Sequence, residues 1–242
     1  MLSGACALTI ALALQAASPA PPAPKPGRPV AELFTGLGHD VRALASGATA
    51  IIGGVGGGAA ILVRPFDDNL ANWALGRGPS TYTKFGSVSG NGWVQVSAAV
   101  ATYAIGLASN APAATRVGSD LIRGQLLTGI ITQGLKVGVG RTRPTGGPYS
   151  FPSGHASASF VTAAVLQGDL GLKAGIPAYA AGGFIAWTRV RQRAHWLTDV
   201  VIGSTIGTVV GHAVTSGHRA RPWTIVPAAT ANEVSVYVIK RR

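Results

Sequence analysis

The run Gly118-Ser119-Asp120-Leu121-Ile122-Arg123-Gly124-Gln125-Leu126-Leu127-Thr128-Gly129-Ile130-Ile131-Thr132-Gln133-Gly134-Leu135-Lys136-Val137 repeats its apolar residues at helical spacing. Leu121, Leu127, Ile131 and Leu135 fall broadly on one side, the pattern of a helix with one face against a core. Outward from this run the same texture continues. Val94–Ala111 is a second apolar stretch, carrying Gln95, Ser97, Thr102 and Ser109. Ala43–Val63 is uncharged and long enough to span a bilayer, although Gly53, Gly54, Gly56, Gly57 and Gly58 weaken it as a helix. Further helices are expected at 155–168, 174–189 and 195–215. The 155–168 and 174–189 stretches have short apolar runs, interrupted by Gln167, Asp169 and Pro177. By the criterion of a long apolar run, no segment after Val63 reads as a lipid-exposed span. The reading is an all-α bundle of about six helices. A small C-terminal β-hairpin is added by Trp223–Ala228 and Glu233–Ile239, which alternate in a strand-like way around Ala231-Asn232.

Composition narrows the class. Of 242 residues, 47% are hydrophobic and only 12% charged, which excludes a disordered chain and an ordinary highly charged cytosolic enzyme. The 34 glycines and many alanines suit helices that approach one another closely through small residues. Twenty Lys and Arg against eight Asp and Glu give a formal net charge of +12, so an anionic partner is expected: nucleic acid, anionic lipid or a phosphorylated substrate. A nucleic-acid role has no motif behind it, and few aromatics interleave with the charge. Cys6 is the one cysteine, which excludes an internal disulfide and a cysteine-based metal site.

The first thirty residues read as a targeting segment. Ala5–Ala17 is almost wholly apolar and too short to span, and Ala16, Ala17 and Ser18 precede the Pro-rich stretch Pro19–Pro24. No Lys or Arg stands before the apolar run. The organisation expected is a signal peptide at 1–20, cleaved between Ala16 and Ala20, then a Pro-rich linker and N-terminal arm at 21–42. A helical domain at 43–218 and a basic tail with the hairpin at 219–242 follow. Such a signal sets the domain outside the cytoplasm.

Three segments carry the chemistry. In Lys136-Val137-Gly138-Val139-Gly140-Arg141-Thr142-Arg143-Pro144, the lysine falls near a helix end that Gly138 and Gly140 terminate. Arg143 precedes a proline and is held extended. Both cations can converge on one anion, although basic residues at a helix C-terminus are commonly only favourable with the dipole. In Phe151-Pro152-Ser153-Gly154-His155, Ser153 is an N-cap candidate and Gly154 lets backbone amides approach an anion. His155 sits in the first turn, where the dipole disfavours its cationic form. In the third segment, Thr188–Asp199, His195 and Asp199 stand four apart and are neighbours on a helix. A carboxylate on one imidazole nitrogen fixes the tautomer and frees the other as nucleophile or base. A plain surface ion pair is the bland alternative. Arg191 and Arg193 are read as exposed charges, and His39, His212 and His218 as structural or solvent-exposed.

Taken together, Lys136-x6-Arg143-Pro144, Pro152-Ser153-Gly154-His155 and Arg189-x5-His195-x3-Asp199 resemble the three-part signature of the type 2 phosphatidic acid phosphatase (PAP2) superfamily. Bacterial acid phosphatases and vanadium haloperoxidases share that signature. Thr188 stands where the family more often has serine, and it keeps the hydroxyl. The resemblance implies a phosphoric monoester hydrolase in which His195 attacks phosphorus and Asp199 orients it. His155 would be the general acid that later activates water. Lys136, Arg143 and Arg189, with Ser153 and the Gly154 amide, would hold the non-bridging oxygens. It implies no metal and no cofactor, with vanadate as a phosphate-mimicking inhibitor. An apolar, basic chain favours lipid phosphates, phosphatidic-acid-like or isoprenoid, at an anionic membrane surface with the site facing the periplasm. A soluble periplasmic acid phosphatase and a vanadate-dependent haloperoxidase stand as alternatives, the latter disfavoured by chain length.

Overall fold

The computed structural model describes residues 8–15, 29–77, 80–217, 223–229 and 234–241. They fall into two units, Pro24–Gly217 and a second built from Met1–Ala23 with His218–Arg242.

The first unit is helical. Its six longest helices are α2 (Gly47–Val63), α5 (Gly92–Ala108), α6 (Pro112–Val139), α7 (Gly154–Leu170), α8 (Leu172–Arg191) and α9 (Leu197–Thr215). These are the six segments expected from the apolar pattern. Shorter helices join them: α1 (Pro29–Ala43), α3 (Asp67–Trp73) and α4 (Thr81–Ser89). The stretch 21–42, expected as linker and arm, therefore ends in helix, with Pro29 at its first position where a missing N–H costs nothing. Pro177 lies inside α8, which runs on through it.

One core joins α5, α6, α7 and α9 through Ala99, Val117, Leu121, Leu127, Val161, Val165, Val210 and Val214. Leu121 and Leu127 are buried and Ile131 packs against them, whereas Leu135 turns outward at 36% exposure. A smaller cluster of Ala156, Ala186, Val190 and Val200 ties together the start of α7, the end of α8 and the start of α9. Close approach through small residues is realised most clearly between α7 and α9. A Cβ on Gly203, Gly207 or Gly211 would lie 2.5 Å or less from Ser153 O, Ser157 O or Ala164 Cβ. That spacing of four keeps one face of α9 flush against α7 and fixes where α9 begins.

Much of the outer face is apolar. Ile61, Leu62, Trp93, Val137 and Ile176 are each 66% exposed or more. Gly47–Trp73 and Leu197–Thr215 are long and apolar enough to cross a membrane, the second of them half buried within the bundle. The second was not expected from apolar runs alone. A cavity of about 550 Å³ lies among α2, α3, α7, α8 and α9, lined by Leu70, Trp73, Phe160, Trp187, Val200 and other mainly apolar side chains.

In the second unit, β2 (Trp223–Ala229) and β3 (Val234–Arg241) pair antiparallel with Trp223 opposite Lys240, the hairpin expected from alternation. A strand β1 (Leu8–Gln15) pairs parallel to β3, where the sequence reading placed the apolar part of a signal. The expected cleavage zone at Ala16–Ala20, and His218, lie outside the described residues.

Candidate active site

Four helix ends form the site: the C-termini of α6 and α8 and the N-termini of α7 and α9. Gly140, at φ 60°, caps α6 in the left-handed conformation and leaves Lys136 in the last turn. The Lys136 ammonium donates to Tyr149 O at 2.8 Å. The segment from Gly140 to Ser153 folds back on itself, with Arg143 N donating to Gly147 O at 2.7 Å and Arg143 Nε to Pro148 O at 3.0 Å. Ser153 is the N-cap of α7 as the sequence suggested, fully buried, its hydroxyl accepting from Ala156 N at 3.4 Å. Its own N–H donates to Asp199 O at 2.9 Å, which locks the start of α7 to the start of α9.

His195 and Asp199 do not share a helix as expected. His195 lies in the turn after α8, and Asp199 is the third residue of α9, where its carboxylate accepts from Trp196 N at 3.0 Å. The two still meet, His195 Nδ1 standing 3.7 Å from Asp199 Oδ2. That is an ion-pair distance rather than a hydrogen bond, and it leaves Nε2 as the nitrogen turned away from the carboxylate. Asp199 is wholly buried and also accepts from Ser150 Oγ and, at 2.7 Å, from Arg141 Nη1. On the other side of the site His155 Nε2 bonds Ser87 O at 3.0 Å. Arg189 donates through Nη1 to Ser87 Oγ at 2.5 Å and to Gln192 Oε1 at 2.6 Å, and its buried Nε has no partner.

The charges are unbalanced in one direction. Among the described residues, no carboxylate forms an ion pair with Lys136, Arg143 or Arg189; their partners are carbonyls and neutral side chains. Burial, and then the neighbouring Arg143, push the Lys136 ammonium down to about 8 and the Arg189 guanidinium down to about 10. Burial and the Arg189 charge likewise push His155 down to about 4. Burial holds His195 below its usual value, Asp199 acting the other way. Cations crowded together and partly desolvated are stabilised by an anion placed among them.

Several participants carried no sequence signal. Arg141, Ser150, Ser87 and Gln192 touch site residues, and Asp67 is linked to Asp199 through Arg141. Arg141 stood in the quoted first segment, and only its contact with Asp199 distinguishes it from its neighbours. The expectation that Arg191 and Arg193 are exposed charges is overturned. Arg191 is 9% exposed, donates to Arg77 O at 2.5 Å and lies 5.8 Å from the Trp73 ring centre. Arg193, half-buried at φ 55°, donates to Pro144 O at 3.0 Å. Thr188 keeps its hydroxyl on Ile185 O of its own helix. Among the described residues no three His, Cys, Asp or Glu side chains cluster in a way that could hold a metal ion.

The helix ends of the bundle thus gather two histidines, a buried aspartate and three cations that have no carboxylate partner among the described residues. Residues 119–223 match the model of the PAP2 superfamily, which bears out the resemblance carried by the three motifs over that region. Ninety-seven residues are 31% identical to a lipid A 1-phosphatase of Porphyromonas gingivalis, a match of 38% of this chain. The chain spans about a fifth of that relative, 22% of its length. The crystal structure of the first transmembrane PAP2-type phosphatidylglycerolphosphate phosphatase from Bacillus subtilis has the same fold. Its TM-score is 0.53 at 20% identity, over 78% of this chain and 95% of that one.

Proposed function

We propose that the protein is a metal-independent phosphomonoesterase acting on lipid phosphates through a phosphohistidine. The observation that carries this reading is the set of three cations without carboxylate partners beside two histidines. Lys136, Arg143 and Arg189, with the Ser153 hydroxyl and the Gly154 amide at the α7 N-terminus, bind the non-bridging oxygens. His195 Nε2 forms a bond to phosphorus while the bond to the ester oxygen breaks, and His155 gives that oxygen a proton. Asp199 steadies the charge that develops on the His195 ring. Water then attacks the phosphohistidine, His155 takes its proton, and phosphate leaves.

The names of both relatives describe phosphatases of phosphorylated lipids, which supports a lipid phosphate as substrate. The apolar outer surface and the two segments Gly47–Trp73 and Leu197–Thr215 support a membrane-spanning protein whose site lies at the bilayer edge. A signal at 1–20 would turn that edge to the periplasm. Phosphate release from a panel of lipid and soluble esters by fractionated membranes tests the reading. Turnover of lipid phosphates in the membrane fraction is expected. Activity on soluble esters alone, in the soluble fraction, contradicts it.

A further inference from the structure

The catalytic turn has a charged partner that none of the three motifs contains. Asp67 opens α3 and is 4% exposed. Its Oδ1 accepts from Thr198 N at 3.0 Å, and its Oδ2 accepts from Thr198 Oγ1 at 2.7 Å and Arg141 Nη2 at 2.8 Å. Arg141 turns its other amine, Nη1, to Asp199 Oδ1 and Thr198 Oγ1, both at 2.7 Å. One guanidinium thus bridges two buried carboxylates, one of which faces His195.

We propose that Asp67 is a positioning residue for the His195 nucleophile, acting through Arg141 and Asp199. The inference rests on the phosphatase reading above for its catalytic meaning, while its electrostatics stand alone. An Arg141–Asp199 pair by itself is neutral and leaves the aspartate little charge to offer an imidazolium. With Asp67 the buried group Asp67–Arg141–Asp199 carries a net charge of −1; Arg64, whose Nε lies 3.6 Å from Asp67 Oδ2, is 68% exposed, so solvent screens its charge and it offsets the buried set only weakly. When the Nε2 lone pair of His195 bonds phosphorus and the ester oxygen departs with the His155 proton, the ring becomes cationic. Its Nδ1 proton then faces Asp199 Oδ2, and the net charge of the group offsets it. Burial makes that offset stronger than it would be in water. Asp67 also fixes the first turn of α9 through Thr198 N, so the same residue sets where Asp199 stands.

The charge argument and a merely structural role differ in sign. The groups facing His195 are Asp199 on α9, Lys136 from α6, Arg143 from the segment before α7 and His155 from α7. In Asp67→Asn the set loses its net charge, so His195, followed by NMR of 15N-labelled histidine in the full chain, holds its proton less tightly. In Arg141→Gln the two carboxylates lose their shared cation, so His195 holds its proton more tightly. Thr198→Val removes the hydroxyl that joins them, keeps every charge, and shifts the titration in neither direction. For turnover, Asp67→Asn slows phosphohistidine formation about tenfold, the scale of losing an outer partner that orients a reacting group. KM stays within about twofold, and the loss is equal for aryl and alkyl esters because the leaving-group side is untouched. Shifts of the same sign in Asp67→Asn and Arg141→Gln, an unmoved His195 in Asp67→Asn, or an equal shift in Thr198→Val overturn the proposal. A wild-type protein that releases no phosphate from any ester overturns the phosphatase reading instead, and the titrations still decide this one.

Discussion

Two ionic clusters lie along α6, one buried and one half-buried, and they are built to opposite ends. At its first half, Arg123 spends every nitrogen: Nε on Asp40 of α1, Nη1 on Ser119 and Nη2 on Asp120, all at 2.6 Å. Two acids meet one base, and even the approach of α1 is fitted to it, since a Cβ on Gly36 would lie 2.9 Å from Arg123 Nε. At its C-terminal end the balance reverses. Among the described residues Lys136, Arg143 and Arg189 have no acid paired to them, and the carboxylate that faces them, Asp199, is engaged by Arg141 and Ser150. The first cluster is finished and holds two helices together. The second, in the function proposed above, is completed by the phosphate it binds. Partly buried cations left without acids make the second cluster the candidate ligand site, whereas the paired charges of the first do not.

Breaking the finished cluster is expected to cost the most. Arg123→Met strands Asp40 and Asp120 and destabilises the fold by about 3–5 kcal/mol, read by thermal unfolding, while turnover per folded molecule is kept. Loss of turnover at full stability would make Arg123 part of the site. Breaking the open cluster has the reverse profile. Arg189→Gln removes the charge, keeps a polar side chain and loses about 10²–10³ in kcat, with unfolding unchanged or improved because a crowded cation is gone. A variant that unfolds and keeps its kcat would erase the distinction between the clusters.

The frame that brings the site together is tested next. Gly203→Ala drives a Cβ to 2.5 Å from Ser153 O, beside the bond from Ser153 N to Asp199 O. About 1–3 kcal/mol of stability is expected to go, together with turnover. Gly57→Ala, on the outer face of α2 where a Cβ meets nothing within 4 Å, is neutral or slightly stabilising. Equal effects in the two helices would contradict the close α7–α9 seam.

The smallest effects concern protons and chelation. With His155 pushed down to about 4, the folded protein keeps it neutral above that pH, while the unfolded chain takes up a proton below about 6.5. Between those values the unfolded chain binds more protons, so stability rises with pH across the window, and His155→Ala flattens the rise. Vanadate among the cations supplies negative charge and moves the His155 titration upward, toward the proton-carrying form that a general acid needs. A titration left at about 4 in the vanadate complex would remove His155 from that role. EDTA leaves turnover unchanged. A loss restored by a divalent cation would contradict the metal-free mechanism.

Helix placement and the position of the three motifs were legible because each depends on local pattern. Long apolar stretches locate α2 and α5, helical spacing of apolar residues locates α6, and Gly140 and Ser153 declare the end of α6 and the start of α7 by cap chemistry. Where tertiary contact alone assigns a role, sequence is silent. Asp67 opens a seven-residue helix with no periodicity to show, and its partner Thr198 is 131 positions away. Ser87 and Gln192 are neutral residues of ordinary composition until Arg189 reaches them. Arg191 looked exposed because charge usually is; the Trp73 ring and the Arg77 carbonyl change its setting. The structure starts α9 at Leu197, two residues after the expected 195, since Asp199 caps the helix from inside while His195 stays in the turn.

The central claim is that the open cluster exists to hold phosphorus against His195. Acid-sensitive, base-stable label trapped from a radiolabelled phosphate ester, then mapped by proteolysis, tests it most directly. The account predicts label on His195, none in His195→Ala, and accumulated label in His155→Ala with an activated aryl ester, because water activation is impaired there. Label on any other residue, or phosphate release by wild type with no trapped intermediate under rapid quench, contradicts it.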